Sequence, residues 1–116
     1  MGYCANGSGS IVFDRRLSAD EENRIGGILD AACFEFDFYY PKSTTDQFPQ
    51  CVDIWHDDKY HGDVVSTALR DIADLVPIRS GCIEYAGEDF SHWRFLYKPE
   101  DESWHEQDGQ IVYEDT

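Results

Sequence analysis

The sequence predicts an α+β protein with a ferredoxin-like β-α-β-β-α-β core, followed by additional C-terminal antiparallel strands. Several short segments alternate apolar and polar residues, which is the period expected of half-buried strands. Two longer segments repeat apolar residues at helical spacing, each after a capping residue. Their order along the chain is typical of a sheet with two helices on one face. The 116 residues, 41 % of them hydrophobic, predict a single domain over 1–116 with one core.

The N-terminal part predicts a strand and then a helix. Residues 10–13 form a short strand, and the glycines before it suggest an irregular start. Ser18 and Glu21 have the spacing of a capping box, in which each side chain bonds the backbone of the other residue. The helix that follows extends to about Ala32.

Two alternating segments predict the next pair of strands. The segment CFEFDFYY at residues 33–40 places its phenylalanines on one side and its acids on the other, and predicts a strand over residues 34–40. Residues 51–57 alternate again, with Val52 and Ile54 facing the core. The two strands are expected to be neighbours.

The second half predicts one more helix and then a meander of strands. Asp63 caps the helix, which runs to about Leu75. Four strands follow, at residues 82–86, 92–97, 103–107 and 110–114. Asp108-Gly109 between the last two is a strong signal for a type I′ hairpin turn. On the strand over residues 92–97, Trp93, Phe95 and Tyr97 share one face and are predicted to be core.

The four cysteines are irregularly spaced, and no export signal is visible in the N-terminal segment MGYCANGSGS. This favours reduced thiols in a cytoplasmic protein. Cys33 and Cys82 adjoin apolar runs and are predicted to lie in the core. A zinc site from Cys51, His56 and His61 is conceivable, although no CxxC pair is present. The leading prediction is no metal and no cofactor.

The acidic charge is unevenly distributed along the chain. Twenty-four acids face nine bases, which gives a formal net charge of −15. Residues 14–58 hold eleven acids and four bases, residues 84–116 hold ten and two, and residues 59–83 are balanced. Phosphates would be repelled, so direct binding of nucleic acid is not expected. The distribution favours a basic protein as partner.

The acids on the two predicted middle strands indicate where such a partner would bind. Glu35 and Asp37 share a side of one strand at a separation of about 6.6 Å, a scale comparable to phosphate spacing. Asp53 and Asp57 lie on the neighbouring strand, and Trp55 between them is a candidate interface anchor. A second predicted set of partner-binding acids comprises Glu100, Asp101, Glu102, Glu106 and Asp108.

No catalytic signature is present in the sequence. Gly7-Ser8-Gly9 is too short for a phosphate-binding loop, and the nucleophile elbow G-x-S-x-G is missing. The sequence therefore predicts a binding protein and not an enzyme.

The start and the last third of the chain, about 45 residues, carry a resemblance. The residues concerned are Met1-Gly2-Tyr3, Ile83-Glu84-Tyr85-Ala86-Gly87-Glu88-Asp89, Trp93-Arg94-Phe95 and Ile111-Val112-Tyr113. They resemble small acidic proteins of phages and other mobile elements, among which are anti-CRISPR proteins that imitate DNA. The resemblance implies an inhibitor that occupies the basic groove of a CRISPR effector subunit and blocks DNA binding. It implies no catalytic residues.

Alternative interpretations of the acidity stay open at this point. Aspartate outnumbers glutamate fifteen to nine and lysine occurs three times, which also fits an acidic cytoplasmic domain of a halophile without an inhibitory role. A small metal- or ligand-binding protein is a third interpretation. Under the leading interpretation, an inhibitor that imitates DNA, the protein is a monomer or weak dimer in the host cytoplasm. It then binds neither nucleic acid nor membranes directly.

Overall fold

The computed structural model describes residues 4–39, 51–59, 62–87 and 91–108. Six strands and two helices are formed there. In chain order they are β1 (Cys4–Phe13), α1 (Ala19–Ala31), β2 (Glu35–Tyr39), β3 (Cys51–Lys59), α2 (Gly62–Leu75), β4 (Ile78–Gly87), β5 (His92–Lys98) and β6 (Ser103–Asp108). Neither described helix is long and apolar enough to cross a membrane.

All six strands belong to one sheet, with the order β2-β3-β1-β4-β5-β6. Every neighbouring pair is antiparallel. The two longest strands, β1 and β4, have ten residues each and pair with each other at the centre. The sheet edges among the described strands are therefore β2 and β6, at opposite ends.

The prediction of a ferredoxin-like core with strands added to it is wrong. The strands dominate the fold, and they form one continuous six-stranded antiparallel sheet with two helices in the described part of the chain. Strand β4 pairs with β1 along one edge and with β5 along the other. The C-terminal strands β5 and β6 therefore continue the same sheet and do not form a separate one. Helix α2 contacts β6, and Trp104 on β6 packs against the common core. Element order alone could not reveal this continuity.

One face of the sheet packs against both helices in a single core. Its strands contribute Ile11, Phe13, Val52, Ile54, Ile83, Tyr85, Phe95 and Tyr97, and its helices contribute Ile25, Leu29, Val65, Leu69 and Ile72. On the opposite face, every described side chain is exposed or half-buried. We call this second side, which carries Glu35, Asp53, Ser8, Glu84 and Arg94 among others, the open face.

Strand β1 is longer than predicted, because glycine makes room for an aromatic ring. It begins at Cys4, well before the expected start at residue 10. A Cβ on Gly7 would overlap the ring of Tyr85 on the paired strand β4. The glycine therefore lets the buried Tyr85 ring pack close to the β1 backbone, and does not interrupt the strand.

The predicted capping box of α1 is confirmed. The backbone N–H of Glu21 donates to Ser18 Oγ at 3.2 Å, and the Ser18 N–H donates to Glu21 Oε1 at 2.9 Å. Arg15 adds two hydrogen bonds to the same carboxylate, at 2.8 and 2.6 Å. The bonds from Arg15 and from the Ser18 backbone lower the pKa of Glu21 to about 2.

Other sequence predictions have mixed outcomes. Phe95 and Tyr97 are buried, and Trp93 packs against the same core as predicted. The core assignment of two cysteines is wrong. Cys33 is exposed in the turn after α1, where its φ is 67°, and Cys82 is half-buried because its place in the β4 alternation puts it on the open face. The predicted strand at residues 110–114 lies outside the described residues.

We expect Gly7→Ala to lower the free energy of unfolding by about 1–3 kcal/mol, because the added methyl overlaps the Tyr85 ring. The matched control is Gly27→Ala in α1, where a Cβ meets nothing within 4 Å. That change should raise the free energy of unfolding by about 0.5–1 kcal/mol, since alanine favours helix. Urea denaturation followed by circular dichroism measures both. Equal effects of the two substitutions would contradict the packing described for β1.

A second expectation concerns the acid stability conferred by Glu21. Its pKa is lower in the folded protein, so the stabilisation is complete above the ordinary value of 4.5 and is lost as pH falls toward about 2. Glu21→Gln keeps the capping geometry and removes the charge. It should cost about 1 kcal/mol at neutral pH, a value reduced by solvent screening of the half-exposed Arg15.

The difference in the free energy of unfolding between the Glu21→Gln variant and the original protein should vanish as the pH approaches about 2. Urea denaturation at several pH values measures it. Glu22→Gln, which removes the same charge from the same turn, is the control and should show a smaller pH-dependent difference. A constant difference for Glu21→Gln at all pH values would disprove the charge contribution.

Candidate functional site

The register of the strands aligns the residues of the open face in rows. One row runs across the sheet as Glu35, Trp55, Ser8, Glu84, Arg94 and Gln107. The next row runs as Asp37, Asp53, Ser10, Cys82, Leu96 and His105. Both rows begin with an acid at the β2 edge, and on the central strand β1 they carry the small residues Ser8 and Ser10.

The β2–β3 end of the open face brings together four of the residues predicted for partner binding. Asp37 lies directly opposite Asp53, and Glu35 lies directly opposite Trp55. Directly opposed residues in an antiparallel pair have their Cβ atoms about 4.5–5.5 Å apart. Tyr39, two residues after Asp37 on β2, lies on the same face of the sheet. We call Glu35, Asp37, Asp53, Trp55 and Tyr39 the acidic corner.

Two aromatic side chains hold the carboxylates of the acidic corner. The Trp55 indole N–H donates to Glu35 Oε1 at 2.9 Å, and the Tyr39 hydroxyl donates to Asp53 Oδ2. Both rings stay accessible, with 38 % of Trp55 and 42 % of Tyr39 exposed. The hydrogen bond to Asp53 raises the pKa of Tyr39 to about 12, with smaller contributions that include the charge of Asp37. The acids are therefore oriented by rings that could themselves contact a partner.

No lysine or arginine in the described part of the chain forms an ion pair with the three acids of the corner. Arg94 is on the same face but lies opposite Glu84, and its Nε–H donates to Gln107 at 2.8 Å. Like charges directly opposite each other on a sheet are destabilising. The opposed pair Asp37 and Asp53 thus lowers the stability of the free protein and leaves a negative potential at the sheet edge.

Asp57 is the remaining predicted residue of this group. It belongs to β3, at the register position opposite Asn6 on β1. Its side chain lies outside the part of the structure that is described.

The second predicted set of acids is not brought to the acidic corner. Glu100, Asp101 and Glu102 are in the turn between β5 and β6. Glu106 is on β6 and lines a small cavity beside α2, so it belongs to the helix side of the sheet. Asp108 ends β6, and its side chain is not described. Five strand spacings of about 4.8 Å separate β6 from β2, a distance of about 24 Å.

Asp101 in the turn before β6 forms a Ser-His-Asp cluster with Ser103 and His105 of β6, and this cluster does not have the geometry of a catalytic triad. Asp101 Oδ2 and Ser103 Oγ both lie near the same ring nitrogen, Nε2 of His105, at 2.8 and 3.1 Å. A triad requires the serine and the aspartate on different ring nitrogens. In addition, the Ser103 hydroxyl donates to Asp101 Oδ1 at 2.9 Å, which helps to lower the pKa of Asp101. The cluster stabilises the turn.

The zinc site considered from sequence is not formed between its described members. Cys51 is on the open face, whereas His56 is buried on the core side against Phe34 and Tyr85. Residues five positions apart on a strand point to opposite faces, so the two side chains cannot share one ion. His61 lies outside the described residues. Within the described ranges, no group of three or more possible ligands forms a metal cluster.

Sequence reasoning missed Tyr39 as a member of the site. The alternating segment already places Tyr39 on the same face as Glu35 and Asp37. Its hydrogen bond to Asp53, however, depends on the pairing of β2 with β3. Only the register identifies that partner.

Comparison with protein-family models finds no match to this chain, and comparisons with curated proteins and with solved structures find none either. The resemblance to phage proteins therefore stays a prediction, and the functional argument depends on the geometry of the surface.

We expect Asp53→Asn to lower the pKa of Tyr39 from about 12 toward the ordinary value of 10, because the charge that holds the phenolic proton is removed. Alkaline titration monitored by tyrosinate absorbance measures this change. The difference between each protein and its Tyr39→Phe counterpart isolates one phenol among the seven tyrosines.

Asp37→Asn is the matched control for this titration. It removes the same charge from the same corner without removing a hydrogen bond to the phenol, so the pKa of Tyr39 should fall less. Equal effects of the two substitutions would rule out the specific contact between Tyr39 and Asp53.

Proposed function

We propose that this protein is a non-enzymatic inhibitor that imitates nucleic acid. Its acidic corner docks on a groove lined by lysine and arginine in a nucleic-acid-binding protein and excludes the nucleic acid. A CRISPR effector subunit is the proposed partner, because the chain resembles small acidic phage proteins. The proposed place of action is the cytoplasm of the host cell.

The observation that carries this proposal is the direct opposition of Asp37 and Asp53, flanked by Glu35, on a solvent-facing sheet. Their mutual repulsion disfavours the free protein, and a partner that supplies cations would relieve it. If the negative charge served only to keep the protein soluble, acids placed far apart would do so equally well. The arrangement is therefore best explained by a cationic receptor.

The spacing of the corner suits a surface that binds phosphates. Residues that share a face lie about 6.6 Å apart along the backbone of β2, and neighbouring strands are about 4.8 Å apart. Each strand of duplex DNA carries one phosphate per about 3.4 Å of axis, with a wider gap through space. Since pairing of β2 with β3 fixes the backbone positions, the carboxylates need little ordering on binding.

The exposed aromatic rings would add a contact that does not depend on charge. Trp55 and Tyr39 are the kinds of residue that dominate binding energy when a partner covers them. Their hydrogen bonds to Glu35 and Asp53 fix their orientation before binding. If opposite charges first attract the partner and the aromatic rings then contact it, association should be fast, and the affinity should fall as the salt concentration rises.

We expect the triple variant Glu35→Gln, Asp37→Asn and Asp53→Asn to lose at least about tenfold in affinity for the effector, since buried charge pairs at interfaces contribute about 1.5 kcal/mol or more each. The same variant should be more stable by about 0.2–1 kcal/mol, because the opposed charges are gone. Competition against labelled target DNA in a gel-shift assay measures inhibition. Urea denaturation measures stability.

The control is the triple variant Asp14→Asn, Glu22→Gln and Asp30→Asn, which changes the net charge equally at positions outside the open face. It should keep its inhibitory activity. Equal loss in both triple variants would show that only net charge matters, and full activity of the corner variant would disprove the proposal. Unfolding of the original protein in low-salt buffer would favour the halophilic interpretation.

A further inference from the structure

The two helices leave an open groove on the side of the sheet opposite to the acidic corner. The groove has a volume of about 920 Å³ and is lined by residues of α1 and α2. Its apolar lining includes Ile28, Ala32, Ala68 and Leu75, and Val64 beside them is 44 % exposed. Apolar surface between two helices can receive the apolar face of a third helix.

The rim of this groove is acidic. Asp63, Asp71 and Asp74 of α2 line it. The base in the lining is Arg24 of α1, which already forms an ion pair with Asp20 at 3.2 Å. An occupant with apolar side chains flanked by cations would complement both the floor and the rim.

The position of Asp74 strengthens this argument. It lies in the last turn of α2, which contains no basic residue. Negative charge near a helix C-terminus interacts unfavourably with the helix dipole. Like the opposed pair in the acidic corner, this acid makes the free protein less stable, and a cationic partner would offset the effect.

We propose that the α1–α2 groove binds a cationic amphipathic helix of a partner protein. Helices of 13 and 14 residues form its walls, which gives a length of about 20 Å at 1.5 Å per residue. An amphipathic helix of three to four turns would lay its apolar stripe on the floor, with lysine or arginine beside the aspartates. This site is separate from the acidic corner and does not depend on the function proposed for it.

A second copy of the chain fits the groove less well than a basic helix does. Each copy has a formal net charge of −15. If two grooves faced each other, two surfaces that each carry three acids and one base would be brought together. Charge complementarity therefore favours a different, basic protein.

The test uses a fluorescein-labelled synthetic peptide of about 14 residues, with leucine at helical spacing on one face and lysine on the flanks. Fluorescence anisotropy measures its binding to the full chain. Asp71→Asn with Asp74→Asn should weaken binding by about 3- to 30-fold, the effect of two exposed or partly desolvated charge pairs. Thr67→Arg, which places a large cation in the groove, should weaken it at least tenfold.

The matched control is Glu22→Gln with Asp30→Asn, which removes two charges from α1 outside the groove lining. It should bind the peptide within about twofold of the original protein, since exposed charges that do not line the groove contribute little. The triple variant of the acidic corner should also retain peptide binding. A peptide with glutamate in place of lysine should not bind.

Three results would overturn the proposal. The control pair could weaken binding as much as the groove pair, which would mean general attraction to an acidic protein. The glutamate peptide could bind as well as the lysine peptide. Finally, sedimentation could show a dimer that Thr67→Arg dissociates, which would identify the occupant as a second copy.

Discussion

In the described part of the chain, two helices pack on one side of a six-stranded sheet, and the rest of the structure depends on this arrangement. The apolar phase of every strand must face the helices, so the polar phase must face solvent. In β2 and β3 that polar phase contains Glu35, Asp37 and Asp53. Packing of Phe36 and Phe38 against the core, and burial of Val52 and Ile54, therefore fix the direction in which these acids point. The hydrophobic core, and not any attraction among the acids, builds the acidic corner.

Unfavourable electrostatic interactions lower the stability of the isolated protein at two separate places. At the acidic corner, Asp37 opposes Asp53 across two strands. At the helix groove, Asp74 lies in a last turn that contains no base. Both arrangements raise the free energy of the isolated protein by amounts that its core can offset. Each would become favourable beside a cationic partner, which gives one physical reason for a net charge of −15.

The two surfaces differ in the chemistry they offer. The acidic corner presents carboxylates held by Trp55 and Tyr39 on a pleated framework, which suits a receptor for phosphates. The helix groove combines an apolar floor with an acidic rim, which suits an amphipathic helix. Since they lie on opposite sides of the sheet, occupation of one does not block the other. The protein could therefore contact a partner at two points.

The sequence by itself determined the helices, the phase of the alternating strands and the common face of Glu35 and Asp37. These depend on local patterns, such as the capping box at Ser18, that hold whatever the rest of the chain does. Only the tertiary structure decided the single six-stranded sheet, the opposition of Asp37 to Asp53 and the separation of the β6 acids from both. Register and strand order arise from contacts between residues far apart in the chain, and no local pattern records which strand will be the neighbour of another.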